Sequence, residues 1–233
     1  MNLRILVLGC LLFCSGYIAG QSYSQVVLKD IPFEPNIELN KDLVEKLEEN
    51  KVYRSSSKAA RSFIYWTNYA RLYPKSFRDQ ALIPFIKLQP NLKGKYANSL
   101  IKDLGKITPL PFLEPEAKLT KAAELHAEDI AQNNRRVSHQ SSDGSSFGDR
   151  MKKVGYKACS GENISLGNDQ DGLSSLLLLY LDINLPDLGH RKNLFNSNYT
   201  KIGVSVKQVP NNQFLIVQEL GCQEVPKNQV QGL

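Results

Sequence analysis

The chain contains three histidines, His126, His139 and His190. His139 and His190 each sit in a polar loop just after a helical stretch. Glu162 sits in Gly161-Glu162-Asn163 and leads into the apolar pair Ile164 and Leu166. A carboxylate beside glycine at a strand entrance can point into a cleft. Two imidazoles with one or two carboxylates suit a divalent metal such as zinc, or a general base with its orienting partner. Spacing alone does not show that these residues meet. The recurrent catalytic signatures are absent: there is no G-x-S-x-G elbow, phosphate loop, H-E-x-x-H or G-x-G-x-x-G.

The elements that must position these residues are legible in outline. Ser57 is placed to cap a helix whose face is Ala60, Phe63, Ile64, Thr67 and Ala70, and Pro74 ends it. Four prolines between 84 and 111 predict short helices and irregular connections. A longer helix follows, with Pro115 in its first turn and Leu119, Ala122, Ala123, His126, Ala127, Ile130 and Ala131 on one face. His126 is therefore expected to pack internally with its own hydrogen bond. Residues 133–148 read as loop, with a turn at Asp143-Gly144. Leu173, Leu176, Leu177, Tyr180 and Leu181 form another helical face. Ile202, Val204 and Val206 alternate as a strand, and Phe214 to Leu220 is a second strand across a Pro210-Asn211-Asn212 connection. Interleaved helices and strands ending in an antiparallel hairpin predict an α+β layered domain. Leu39 to Glu49, with Leu43, Val44 and Leu47 at helical spacing, reads as a short surface helix or a tether.

The chain has 233 residues, 42% hydrophobic and 22% charged, with a formal charge of +6. These values fit one globular domain and exclude wholesale disorder. The basic residues form pairs such as Lys152-Lys153 rather than a stripe with interleaved aromatics, so nucleic acid is not an expected partner. No apolar run is long enough to span a bilayer. Arg4, the apolar stretch Ile5 to Phe13 and the small residues Ala19-Gly20 predict a secretory signal peptide over residues 1–20. A lipoprotein signal using Cys10 or Cys14 and a buried N-terminal helix are the alternatives. Cleavage leaves Cys159 and Cys222, which read as one disulfide or as two buried thiols, and not as a zinc framework, since no Cys-x-x-Cys exists. The expected division is leader 1–20, polar extension 21–55, domain 56–222 and tail 223–233.

The ordered motifs resemble the CAP superfamily, or SCP domain: cysteine-rich secretory proteins, antigen 5 and plant pathogenesis-related proteins, in a bacterial-type version. The residues that carry the resemblance are Ala122-Ala123, His126-Ala127, Asp129-Ile130-Ala131, Ser138-His139, Asp143-Gly144, Arg150, Gly155-Tyr156, Gly161-Glu162-Asn163-Ile164, Gly189-His190-Arg191, Asn193-Leu194 and Ile202-Gly203-Val204. Asn68-Tyr69-Ala70-Arg71 is similar to the family's first-helix signature. The resemblance spans about residues 59 to 222. It implies a three-layer α-β-α sandwich with a central antiparallel sheet, and a cleft holding two histidines and two acids that binds zinc or another divalent ion in several relatives. Position by position it makes His139, His190, Glu162 and Asp182 the candidate metal residues. Asp182 is one methylene shorter than the usual Glu, and Asp187 is its rival. His190 is followed by Arg191-Lys192-Asn193 rather than the eukaryotic pattern, and Arg191 is expected to pair with a carboxylate or cap a helix end.

Three functions are compatible with these residues. The first is a secreted or envelope binding module with a metal-capable His/Glu cleft, its ligand a lipid, a small molecule or a protein. The second is a hydrolase in which metal-bound or histidine-activated water attacks an amide, with Glu162 the candidate base. The third is an envelope-associated structural or interaction protein with a vestigial cleft. Whether the chain is an enzyme stays open, and a monomer is expected.

Overall fold

The computed structural model describes residues 26–29, 31, 33–133, 137–168 and 172–225. The expected leader, residues 1–20, lies outside them, as do residues 226–233. Helices α1 (Lys41–Glu48), α2 (Lys51–Ser55) and α3 (Lys58–Leu72) open the described chain, followed by α4 (Pro74–Phe77), a π-helical turn, α5 (Ile83–Leu88) and α6 (Lys95–Lys106). Strand β1 (Glu114–Pro115) leads into α7 (Ala117–Gln132), and α8 (Phe147–Lys153) into β2 (Ser160–Gly167). Helices α9 (Leu173–Leu181) and α10 (Gly189–Phe195) precede the hairpin β3 (Lys201–Val209) and β4 (Gln213–Gly221).

The sheet order is β1-β3-β4-β2. Its three long strands are antiparallel, and β1 adds two residues parallel to β3. Side chains alternate across the sheet, so each strand feeds two layers. Leu215, Val217 and Ile164 pack with Ala123, Ala127 and Ile130 of α7. Ile202, Val204, Ile216 and Leu220 turn the other way, into the main core with α3 and α9. This is the expected three-layer α-β-α sandwich.

Ser57 caps α3 by accepting from the Ala60 N–H (3.2 Å), and the whole expected face of that helix is buried. Pro74 sits in the first turn of a short helix, where a missing N–H costs nothing, and Pro84 follows the π-helical turn at the start of α5. Pro115 departs from expectation: it lies in β1, and Glu116 caps α7 instead, its carboxylate accepting from the Leu119 N–H (2.8 Å). The strand needs donors only at Glu114 and Glu116, which reach the Thr200 and Ile202 carbonyls (2.9 and 2.8 Å), so proline between them is tolerated. The loop expected over 133–148 yields to α8 at Phe147, because Ser146 and Asp149 form a capping box.

The stretch before α3 is packed rather than tethered. Leu43 and Leu47 are buried in the main core. Upstream, the Gln89 side-chain amide clamps the Lys29 peptide at both its N–H and C=O (2.8 and 3.0 Å), and the Asn40 N–H donates to the Tyr65 hydroxyl (2.9 Å). Asn68 clamps Leu113 in the same way, accepting its N–H (2.7 Å) and donating to its carbonyl (3.1 Å).

Candidate functional site

Two histidine–carboxylate pairs are built at one end of β2. Glu162 stands on that strand opposite Glu219 of β4, and both side chains face α7. The Glu162 carboxylate receives His139 Nδ1 on one oxygen (2.7 Å) and the Arg150 guanidinium on the other (2.5 Å). Arg150, projecting from α8, also donates to the His139 carbonyl (2.9 Å) and to the Ser141 hydroxyl (3.1 Å), so it fixes both ring and loop. His126 is fully buried on the apolar face of α7, as expected, and its Nε2 donates to the Ser138 carbonyl (2.8 Å). It thereby anchors the residue before His139, and it lies 3.9 Å from Glu162.

The second pair is His190 with Asp182. His190 Nδ1 meets one Asp182 oxygen at 2.6 Å, and the other oxygen accepts the Arg191 N–H at 2.9 Å. Asp182 ends α9 in the left-handed conformation (φ 50°), which a short side chain with a local acceptor tolerates. That geometry puts its carboxylate directly over the first turn of α10, so the shorter acid suffices. Its rival Asp187 is exposed. Arg191 does both things expected of it. It donates to the Tyr180 and Leu181 carbonyls at the end of α9 (2.7 and 2.9 Å), and it pairs with Asp103 (3.2 Å).

Asn193, one turn after His190, ties the two pairs together. Its side-chain amide donates to the Glu162 carbonyl (3.2 Å) and to the Asn163 side chain (2.9 Å). The approach requires glycine at 161, since a Cβ there would lie 2.8 Å from Asn193 Oδ1 and 2.6 Å from the Tyr199 hydroxyl oxygen. Both carboxylates are buried, while the His139 and His190 side chains are 41% and 21% exposed. The rings thus stand between dry acids and solvent.

Burial opposes ionisation of Glu162, but the His139 hydrogen bond and the Arg150 charge hold its carboxyl below the usual range. Glu219 behaves oppositely. It is completely buried, and burial together with the facing Glu162 charge pushes it well above the usual range, against the pull of Arg150. Among the described residues neither of its oxygens has a hydrogen-bond partner. A buried carboxyl facing a second carboxylate is favoured in its neutral form, so Glu219 holds its proton well above the ordinary carboxyl range. Burial, outweighing nearby Glu162, lowers His126, which stays neutral. Glu219 and the role of Arg150 were not read from the sequence. Alternation along Phe214 to Leu220 places Glu219 on the α7 face, and the Ser146-x-x-Asp149 capping box signals the helix that carries Arg150.

Cys159 and Cys222 form a disulfide, with Cα atoms 5.3 Å apart. Among the described residues no group of three or more His, Cys, Asp or Glu side chains converges as a metal cage, and no helix is long and apolar enough to cross a membrane. Of the two Asn-x-Ser/Thr sequons, Asn163 is buried and Asn198 exposed.

Among solved structures, the chain is similar to an extracellular SCP-domain protein of Bacillus anthracis, with 27% identity and a TM-score of 0.41 over 55% of this chain; it spans only 38% of that longer protein. An outer surface protein of Borrelia burgdorferi is 23% identical, with a TM-score of 0.41 over 55% of this chain and 90% of its own. Venom allergen-like protein 4 of Schistosoma mansoni is 14% identical, with a TM-score of 0.42 over 74% of this chain and 99% of its own. No curated protein matches the chain. The model of the CAP family, the cysteine-rich secretory proteins, matches residues 67–220, well over half of the sequence, and the chain belongs to that family.

Proposed function

We propose that the chain is an exported binding module in which His139 and His190 take a divalent cation such as zinc through Nε2. The observation that supports this is that each ring hydrogen-bonds through Nδ1 to a buried carboxylate. A proton held at Nδ1 leaves the lone pair on Nε2, and the carboxylate behind the ring fixes its orientation. Glu162 and Asp182 serve as these backing groups, since all four of their oxygens are engaged. Two imidazoles leave open positions for water and for an exogenous ligand. Protons compete for the same lone pairs, so affinity falls with pH. Elemental analysis and zinc calorimetry of the mature protein test the reading. His139→Ala or His190→Ala should abolish uptake, and Asp182→Asn should weaken it roughly 10–100-fold. No zinc uptake by the wild type, or undiminished uptake by His190→Ala, defeats it. Export rests on the leader composition, and intact mass of the exported chain should place its first residue at Gln21.

One observation favours a second reading. An imidazole backed by a buried carboxylate, as in His139–Glu162, is also the geometry of a general base. Hydrolysis of a fluorogenic peptide library that is lost in folded Glu162→Gln would select a hydrolase, and no turnover by wild type removes it.

A further inference from the structure

Beyond Ile202 the outer edge of β3 has no strand beside it among the described residues. β1 stops after Pro115 because Glu116 turns away to cap α7. The Glu116 N–H still reaches the Ile202 carbonyl, which sets the sense of the ladder. β3 pairs with β4 without a bulge from Lys201 to Val209. The peptide groups of Val204, Val206 and Gln208 therefore point outward with that of Ile202, and those of Gly203, Ser205 and Lys207 face β4.

Where a longer β1 would run there is a groove of about 420 Å³. Its floor is Val204 to Lys207. One wall is the start of α3, Ser55 to Ala60, and the other is α7, Thr120 to Glu128. α7 approaches so closely because position 203 is glycine: a Cβ there would lie 2.1 Å from the Thr120 nitrogen. Helices overhang the edge on both faces of the sheet. Between them the groove follows the line of the strand, the shape of one extended chain.

The walls also define what that chain carries. Ser55 and Ser56 donate to the Val52 carbonyl, and Ser57 accepts from Ala60, so this wall offers small groups already satisfied. Leu125 is 37% exposed on the opposite wall. The charges there neutralise one another, Lys207 with Glu128 and Lys121 with Glu124. An uncharged segment matches such a surface, and a charged one would have to break these pairs.

We propose that this edge of β3 is a docking site for a single extended, uncharged peptide strand. Its main chain would pair with Val204, Val206 and Gln208, and its side chains would lie alternately against Leu125 and the serine wall. The site shares no residue with the histidine pairs and does not depend on them.

Panning a displayed library of random heptapeptides on the wild-type chain, with Val206→Pro as counter-selection, tests the proposal. Proline at 206 removes an N–H that faces the groove and not β4, so the fold should be retained. Enriched peptides, synthesised with capped ends, should bind wild type, lose about tenfold or more on Val206→Pro, and shift the amide resonances of Val204, Val206 and Gln208. N-methylating the peptide one residue at a time should weaken binding with a period of two, because alternate N–H groups face β3. That readout does not need the proline variant to fold. Failure of any heptapeptide to enrich on wild type, binding without the two-residue period, or shifts confined to other amides would overturn the proposal.

Discussion

Glu219 and His126 give the buried site its pH behaviour. Glu219 is raised, so the native state holds a proton that the unfolded chain releases. Its contribution to stability is complete below the ordinary carboxyl pKa and is lost as pH rises through the raised value. His126 is lowered, so its contribution is present above the ordinary imidazole value and declines as pH falls below about 6.5. Glu162, also lowered, adds to the loss at more acid pH. Glu219→Gln is neutral at every pH. It should fold within about 1 kcal/mol of wild type at pH 5 and gain on wild type as pH rises toward 9, measured by urea unfolding. A difference that stays constant across that range would mean Glu219 is ionised in the native protein.

At the scale of elements, the Cys159–Cys222 bridge extends the β2–β4 pairing. The Cys222 N–H donates to the Cys159 carbonyl (2.9 Å), and the Tyr156 hydroxyl donates to the Cys222 carbonyl (2.5 Å). The bridge spans 63 residues that include β2, α9, α10, β3 and β4. A loop of that length is worth about 3–5 kcal/mol in the chain-entropy model. Changing both cysteines to serine should lower the urea midpoint accordingly while leaving zinc uptake in place, because hydrogen bonds and not the bridge hold Glu162 and Asn193. Loss of uptake in a still-folded double serine variant would show that the bridge positions the site.

At the scale of the whole molecule, Arg71 joins parts far apart in sequence. It is buried on α3 and donates to the carbonyls of Pro111, Leu194, Asn196 and Tyr199 (2.7 to 3.2 Å). Those carbonyls belong to the approach to β1 and to the link from α10 to β3, so a single guanidinium sets where His190's helix enters the sheet. Lysine cannot reproduce the planar array of donors. Arg71→Lys should cost about 2–4 kcal/mol by chemical denaturation, as buried carbonyls lose their donors. A cost near zero would mean those carbonyls find other partners.

Local pattern determined much of this protein. The face of α3, the apolar side of α7 with His126 on it, the hairpin and the layered α+β class follow from periods of 3.6 and 2, which any short window of sequence displays. Histidine, glutamate and glycine spacing, with the family resemblance, singled out His139, Glu162 and His190. Tertiary structure decided the rest. By sequence Asp182 is the nearer candidate and Asp187 its rival, and the left-handed end of α9 over α10 is what puts Asp182 against His190. Arg150 and Glu219 join the site because α8 and β4 come to β2 across 12 and 57 residues of chain. Pro115 belongs to a strand because β3, nearly ninety residues later, lies beside it and the Thr200 and Ile202 carbonyls accept from its neighbours Glu114 and Glu116. Hydrogen bonds between distant segments and the desolvation of carboxyl groups depend on which surfaces meet, and no local window carries that information.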